Sequence, residues 1–555
     1  MGKYVTRRGS DEAMSKMISN PVLRGFNPDP SIIRVGETYY IATSTFEWWP
    51  GVRLYESHDM VNWTLLPSPL NRVSQLDMKG TCASGGVWAP DLSYNDGVFW
   101  LIFTDVKQVE GAFKDCTNYL VTAENIRGPW SDPIRLNGVG FDPSLFHDGD
   151  RKYLVQQTWD FRDYHHTFNG ITLTEFDTGT MKLMPETERI IWKGSKVKVT
   201  EGPHLYRIGD YYYLFAAEGG TGYEHQESVA RSRSLDALSF EAMPNNPLLG
   251  NYLTPESYLQ KQGHGSLVDT PDGQWYYASL CARPWHRPQD PVNGVRGWCT
   301  LGRETSIQKL EWTDDGWPYI VGGQAGQRYV DPPIKPSTES QPSKRFHDDF
   351  QLSKLNQEWN TCRVPFSENM GYVGDGCLRL RGGQSLTSRD ELSMIARRWD
   401  AFNFTAETKV EFNPHSYMQM AGLANYYNDR FWSWIYLTWD EERGCKVIEV
   451  SECDRGRYHS YLHDRSIIVP QQVESVWLRT QVDTDMYRYE YSFDGHRFVS
   501  LPCVLDARIL SDDYVAQSSG GFFTGAFSGL ACVDLGGYRR EAYFDYYDYK
   551  SRDVD

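Results

Sequence analysis

"GFNPDPSIIRVGETYYIATS", Gly25–Ser44, places an aspartate between two prolines at the start of an apolar and aromatic run. Proline fixes φ and removes a backbone donor, so Pro28 and Pro30 hold the Asp29 carboxylate in one direction where a strand begins. The pattern returns four times: "APDLSYNDGVFWLIFT" from Ala89, "DPSLFHDGDRKYLVQ" from Asp142, "EGPHLYRIGDYYYLFA" from Glu201 and "HGSLVDTPDGQWYYAS" from His264. Each is a short head, an apolar pair, a polar turn and an aromatic-rich strand, which is a β-hairpin.

The heads stand 60, 53, 59 and 63 residues apart (89−29, 142−89, 201−142, 264−201). That interval is too long for a hairpin alone and suits a four-stranded blade. A second element follows at similar distance in "YESHDMVNW", "VTAENIRGPW" and "ARSRSLDALSF". Strand-only repeats of this length predict a five-bladed β-propeller over 21–329, preceded by a tail over 1–20. A β-sandwich with coincidentally similar turns is the weaker alternative. From Val330 to Lys344, "VDPPIKPSTESQPSK" is rich in proline and serine and reads as a linker. Over 345–555, segments such as "FTAETKVEF", "WLRTQVD" and "AYFDYYDY" alternate with period two, which predicts a β-sandwich. The expected class is all-β.

Composition narrows the partners. A formal charge of −17 repels nucleic acid and anionic membrane surfaces, so a neutral ligand is expected. With 19 Trp and 35 Tyr, flat stacking surfaces are available to it. The first twenty residues carry Lys3, Arg7, Arg8, Asp11, Glu12 and Lys16 without an apolar run, no stretch is long enough to span a membrane, and the ten cysteines are scattered singly. A cytoplasmic chain with reduced thiols is expected.

In a propeller the first strand of each blade lines the axis, so the heads bring Asp29, Ala89, Asp142, Glu201 (one step early) and His264 together. Taken singly, Asp-Pro and Glu-Gly-Pro are turn chemistry. Three carboxylates on one axis are different: buried like charges raise one another's pKa, and an acid kept protonated beside an ionised base can cleave a glycosidic bond.

The motifs "FNPDPSIIRVGETYYIATSTFEWWPGV", "GGVWAPDL", "FDPSLFHD", "TEGPHLY", "GHGSLV" and "LGRETSIQ", in that order, resemble the family 43 glycoside hydrolases, above all their two-domain β-xylosidases. The resemblance runs from about Asn20 to the end of the chain. It implies an inverting mechanism with Asp29 as general base, Glu201 as general acid, and Asp142 adjusting the pKa and orientation of the acid. It further implies that Phe46, Trp88 and Trp159 wall the sugar site and that Arg303 hydrogen-bonds the terminal sugar. From the residues alone, those aromatics could equally be blade packing and Arg303 a blade salt bridge. Phe527, in "GGFFTGAFSGLACVDL", is the expected ring from the sandwich that completes the pocket, with Phe522 and Phe523 as competitors.

His264 has two roles within the resemblance, as ligand of a divalent cation, usually calcium, or as hydrogen-bond partner of the base without metal. The sequence lacks calcium-type ligand spacing. Lys107 is expected to supply positive charge at the axis instead, so no cofactor is expected to be required. The implied activity is exo-acting release of D-xylose from non-reducing ends of xylo-oligosaccharides, with α-L-arabinofuranosidase as side activity, by a homo-oligomer, dimer or tetramer. A carbohydrate-binding or scaffold propeller is the non-catalytic alternative, and it has no use for three axial carboxylates.

Overall fold

The computed structural model describes residues 16–165, 167–287, 289–290, 296–336, 344–518 and 521–553. Most of the expected tail (1–15) and seven of the fifteen linker residues (337–343) lie outside the described residues.

Five separate antiparallel sheets form the first unit, each beginning on one of the five heads. Their first strands are Ser31–Val35, Gly86–Asn95, Gly140–Asp148, Glu201–Ile208 and Gln260–Asp269, and each pairs with the next strand in sequence. The propeller is thus built as the repeat predicts. Its ring closes by pairing Ile18–Ser19 with Tyr329–Val330. Asn20 reinforces the closure, exchanging two 2.8 Å hydrogen bonds with the Ile307 backbone. The closing elements therefore extend slightly past 21–329 at both ends.

The heads share one backbone peculiarity. Asp29, Ala89, Asp142, Gly202 and His264 all have positive φ (55°, 20°, 52°, 56° and 44°). In the last four blades the head also interrupts the strand register, between Trp88 and Asp91, Phe141 and Ser144, Glu201 and His204, and Gly263 and Gly265. Such bulges re-aim side chains. Here they turn the heads toward the axis, and Gly202 in the shared position explains why Glu201 falls one step early. A non-glycine residue at positive φ is strained and persists where surrounding structure over-determines it.

The serine that follows these heads has its own task. Ser31 donates to Asp91 on the second blade (2.9 Å), Ser144 to the Pro203 carbonyl on the fourth (2.6 Å), and Ser266 to the Pro30 carbonyl on the first (3.2 Å). Asp91 continues the chain by accepting from the Leu145 amide (2.9 Å). The "DPS" and "HGS" serines are inter-blade ties around the axis.

The second unit is a two-sheet sandwich of eight and nine strands. Alternating strands such as Asn403–Phe412 and Ser475–Asp483 bury every second residue, Val410, Val476 and Leu478 among them. One member of the nine-stranded sheet comes from the propeller. Trp48–Trp49, between the second and third strands of the first blade, pairs with Asn360–Cys362 at the sheet edge. A continuous apolar cluster then crosses the boundary, including Phe46, Trp48 and Trp88 from the propeller and Trp434 and Phe527 from the sandwich. A hydrophobic boundary of this kind makes the two domains one rigid body rather than hinged neighbours.

Candidate active site

The axial end of the propeller that faces the sandwich carries a cavity of about 220 Å³ lined by Asp29, Asp142, Glu201, His264, Arg303, Phe46, Trp88 and Trp159, all expected there, and by Lys114, Phe141, Phe168, Phe522 and Phe523. Its three carboxylates are all nearly inaccessible to solvent. Each has a different setting.

Asp29 is gripped from two sides. Arg303 Nη1 donates to Oδ1 at 2.9 Å, Ser44 Oγ donates to Oδ2 at 2.6 Å, and His264 Nδ1 stands 3.7 Å from Oδ1. Burial alone would push the carboxyl up; the Arg303 guanidinium foremost, with the Ser44 hydrogen bond, outweighs it and holds Asp29 below the usual carboxylate range. Glu201 has no such grip. Burial and then the negative charge of Asp29 push it up to about 7, against the opposing charges of Arg303 and Lys114. Asp142 is raised well above the usual range by burial, then by Glu201 and Asp29, while a hydrogen bond from the Gly202 amide opposes. The negative charge of Asp29 lifts both neighbours, and Asp142 and Glu201 repel one another in addition.

The apolar wall is a chain of rings. Phe46 lies 6.1 Å from Trp88 and 5.9 Å from Phe523; Trp88 meets Phe141 edge-on at 5.3 Å and Phe523 at 5.6 Å. Trp159 stands behind Phe141 at 6.2 Å. The Trp88 indole N–H is spent on the Ser84 carbonyl (2.8 Å), so that ring offers a face and not a donor.

The roof over the pocket corrects one expectation. Phe527 does not line the pocket: it begins the strand Phe527–Asp534, is fully buried, and stacks on Trp48 at 3.7 Å inside the interdomain core. Phe522 and Phe523, in the turn before that strand, reach the cavity instead. The Phe523 amide donates to Ser84 Oγ (2.9 Å) and its carbonyl accepts from Arg303 Nη2 (3.0 Å). Beneath them, Gly302 passes so close that a Cβ would sit 2.3 Å from the Thr524 carbonyl oxygen, at a φ of +70°. Only glycine fits that approach.

Lys107 is the second correction. It is half-exposed, ion-paired with Asp105 at 2.8 Å and bonded to the Asp77 carbonyl, away from the cavity. The lysine at the pocket is Lys114, whose ammonium stands 4.4 Å above the Trp159 ring and whose pKa burial lowers. Sequence gave no cue for Lys114. Phe141 was within reach, as the residue immediately before the Asp142 head, and so was Ser44, at the end of the first hairpin.

His264 is buried, and burial pushes its pKa down to about 4, so the ring is neutral at working pH. It packs where a Cβ on Gly202 would stand, 2.6 Å from the ring. Calcium takes six to eight oxygens. The neighbours of His264 do not fit that demand: Asp29 is already held by Arg303 and Ser44, and Arg303 brings positive charge to the same place. Among the described residues, no group of three or more His, Cys, Asp or Glu is placed to hold a metal ion. No helix among them is long and apolar enough to cross a membrane.

Residues 18–318 match the model of glycosyl hydrolases family 43, and residues 347–550 match that of the β-xylosidase C-terminal concanavalin A-like domain. A β-xylosidase of Bacillus subtilis (strain 168) is 49% identical over 538 residues, 96% of this chain and 100% of the relative. A xylosidase/arabinosidase 43B of Humicola insolens is 42% identical, over 96% and 97% of the two chains. The crystal structure of a xylan β-1,4-xylosidase from Bacillus halodurans C-125 superposes with a TM-score of 0.90 at 47% identity, covering 96% of this chain and all of that one.

Proposed function

Since the chain belongs to glycosyl hydrolase family 43, with the β-xylosidase C-terminal domain, we propose that it is an exo-acting, inverting β-D-xylosidase that releases xylose from the non-reducing ends of xylo-oligosaccharides. The observation that carries the reading is the unequal setting of two carboxyls in one buried cluster: Arg303 and Ser44 hydrogen-bond Asp29 and hold it low, while burial and the charge of Asp29 lift Glu201 to about 7. Paired groups whose surroundings drive their pKa values apart are the signature of an acid and a base.

In this reading the terminal xylose enters ring-first between the Phe46, Trp88 and Phe523 faces, and the roof admits chain ends only. Asp29 takes a proton from a water, whose oxygen bonds to the anomeric carbon from one side. The glycosidic bond breaks on the other side, and its oxygen takes the proton of Glu201 as it leaves with the rest of the chain. Asp142, driven toward its neutral form, positions Glu201 without adding a second full negative charge beside it. Arg303 lines the cavity beside Asp29, where its guanidinium meets a hydroxyl of the terminal sugar. No step needs a metal, and assembly into a homo-oligomer belongs to the same proposal, to be read by light scattering.

Proton NMR of xylobiose hydrolysis tests the mechanism, with α-xylose expected first; β-xylose as first product would overturn it. The similarity to a xylosidase/arabinosidase favours a second activity in the same pocket, and parallel assays on 4-nitrophenyl β-D-xylopyranoside and α-L-arabinofuranoside measure it.

A further inference from the structure

Outside the pocket, two aromatic rings stand in solvent. Phe113 is 61% and Phe161 58% exposed, yet their rings meet edge-on at 5.0 Å. They come from different blades. Phe113 precedes the strand Asp115–Ala123 of the second blade, and Phe161 follows the strand Arg151–Trp159 of the third. Each sits beside a pocket residue: Lys114 is next to Phe113, and Trp159 is two positions before Phe161. Those two pocket residues also touch, ammonium over indole at 4.4 Å. The exposed pair is therefore the outward continuation of the pocket wall.

Phe161 is held outward on a locked turn. Asp160, itself buried, accepts from the Arg162 amide (3.1 Å), from Arg162 Nε (2.8 Å) and Nη2 (2.6 Å), and faces His165 Nδ1 at 2.8 Å. A ring pair left in water next to a pocket wall that carries the Lys114 ammonium calls for a ligand that is apolar on its faces and hydroxylated at its edges. A pyranose ring has that form, with C–H groups on both faces.

We propose that Phe113 and Phe161 are an outer sugar-binding platform, which stacks the second xylose of the departing chain after Lys114 and Trp159 have received the first. The platform makes oligosaccharides longer than xylobiose better substrates. It rests on the xylosidase reading, because the chain can reach the platform only if its non-reducing end occupies the pocket.

The test is the double variant Phe113→Ala/Phe161→Ala, assayed on xylobiose, xylotriose, xylotetraose and 4-nitrophenyl β-D-xylopyranoside. The kcat/KM on xylotriose and xylotetraose falls about five- to tenfold, the worth of an aromatic contact, while xylobiose and the aryl xyloside stay within about twofold. A Phe161→Trp variant, which keeps a stacking face, retains the preference for the longer chains. Equal losses on all four substrates, or none on xylotriose, overturn the platform while leaving the xylosidase reading intact. A changed oligomeric state of the double variant by light scattering also overturns it, by making the ring pair a contact between copies. A wild-type chain inactive on every xyloside would instead remove the xylosidase reading, and the platform with it.

Discussion

Glu201→Gln keeps the size of the side chain and removes its proton. Glu201 is fully buried, and the shift from 4.5 to about 7 corresponds to about 3 kcal/mol spent on keeping the carboxyl protonated. The sign follows from the direction. A raised carboxyl is protonated below about 7 and loses its proton as pH rises through that value, so wild-type cleavage of xylobiose declines on the alkaline side near pH 7. Asp29 is lowered below its usual 3.8, so the acid-side decline falls under that value. The folded state also loses stability through Glu201 as pH rises from about 4.5 to about 7, where the unfolded chain ionises first. In Glu201→Gln, xylobiose hydrolysis drops by about 10²–10⁴-fold, the range for a positioned acid. A dinitrophenyl xyloside, whose leaving group departs without a proton, keeps far more activity and loses the alkaline decline altogether. The assay is kcat and kcat/KM on both substrates from about pH 4 to about pH 9, a range that spans the alkaline decline. Equal losses on the two substrates, or an alkaline decline that persists in the variant, would refute the assignment of the acid.

Arg303→Met removes the main charge that holds Asp29 ionised, so the acid-side decline of kcat/KM moves upward by about 1–3 pH units, and an unmoved decline would show that the ion pair does not set the base. Phe523→Ala raises KM by opening the roof, whereas Phe527→Ala leaves KM unchanged and costs about 3–5 kcal/mol of stability, to be read by kinetics and by thermal unfolding; the opposite pattern would restore Phe527 to the pocket. EDTA leaves xylosidase activity in place, and complete loss reversed by calcium would make His264 a ligand.

The propeller was legible because its repeat is local. Each head combines a forced turn with a hairpin, and the positive φ values at Asp29, Asp142 and Gly202 are the backbone form of that sequence signal. The three carboxylates followed from register alone. What escaped the sequence depends on contacts between distant segments. Trp48–Trp49 reads as a dipeptide in a loop, and only its partner at Asn360–Cys362 makes it a strand. In "GGFFTGAF", strand alternation cannot say which phenylalanine reaches the pocket, because the strand begins at Phe527 and the turn before it follows no period. Lys107 and Lys114 bracket another such turn: Lys107 lies in the strand Val98–Gln108 with a local carboxylate to pair with, and Lys114 sits past it, where nothing in the sequence marks the approach to Trp159.

Arg303 ties the two halves of the mechanism to one side chain. Its Nη1 hydrogen-bonds Asp29, the proposed base, and its Nη2 holds the Phe523 carbonyl, so the charge of Asp29 and the closure of the roof depend on the same guanidinium. The backbone around it is fixed by the sandwich. The Ala526 amide donates to the Thr300 carbonyl at 2.9 Å, the Cys299 amide donates to Asp513 at 2.8 Å, and buried Lys261 reaches Asp513 at 2.8 Å and Asp512 at 3.4 Å across the domain boundary. Breaking a buried ion pair from one side leaves uncompensated charge and costs about 3–5 kcal/mol, so this clasp resists separation of the domains. A propeller freed of its sandwich would keep all three carboxylates and lose the carbonyl that holds the far side of Arg303. In the proposed mechanism the second domain therefore acts through the placement of one arginine, in addition to shaping the pocket.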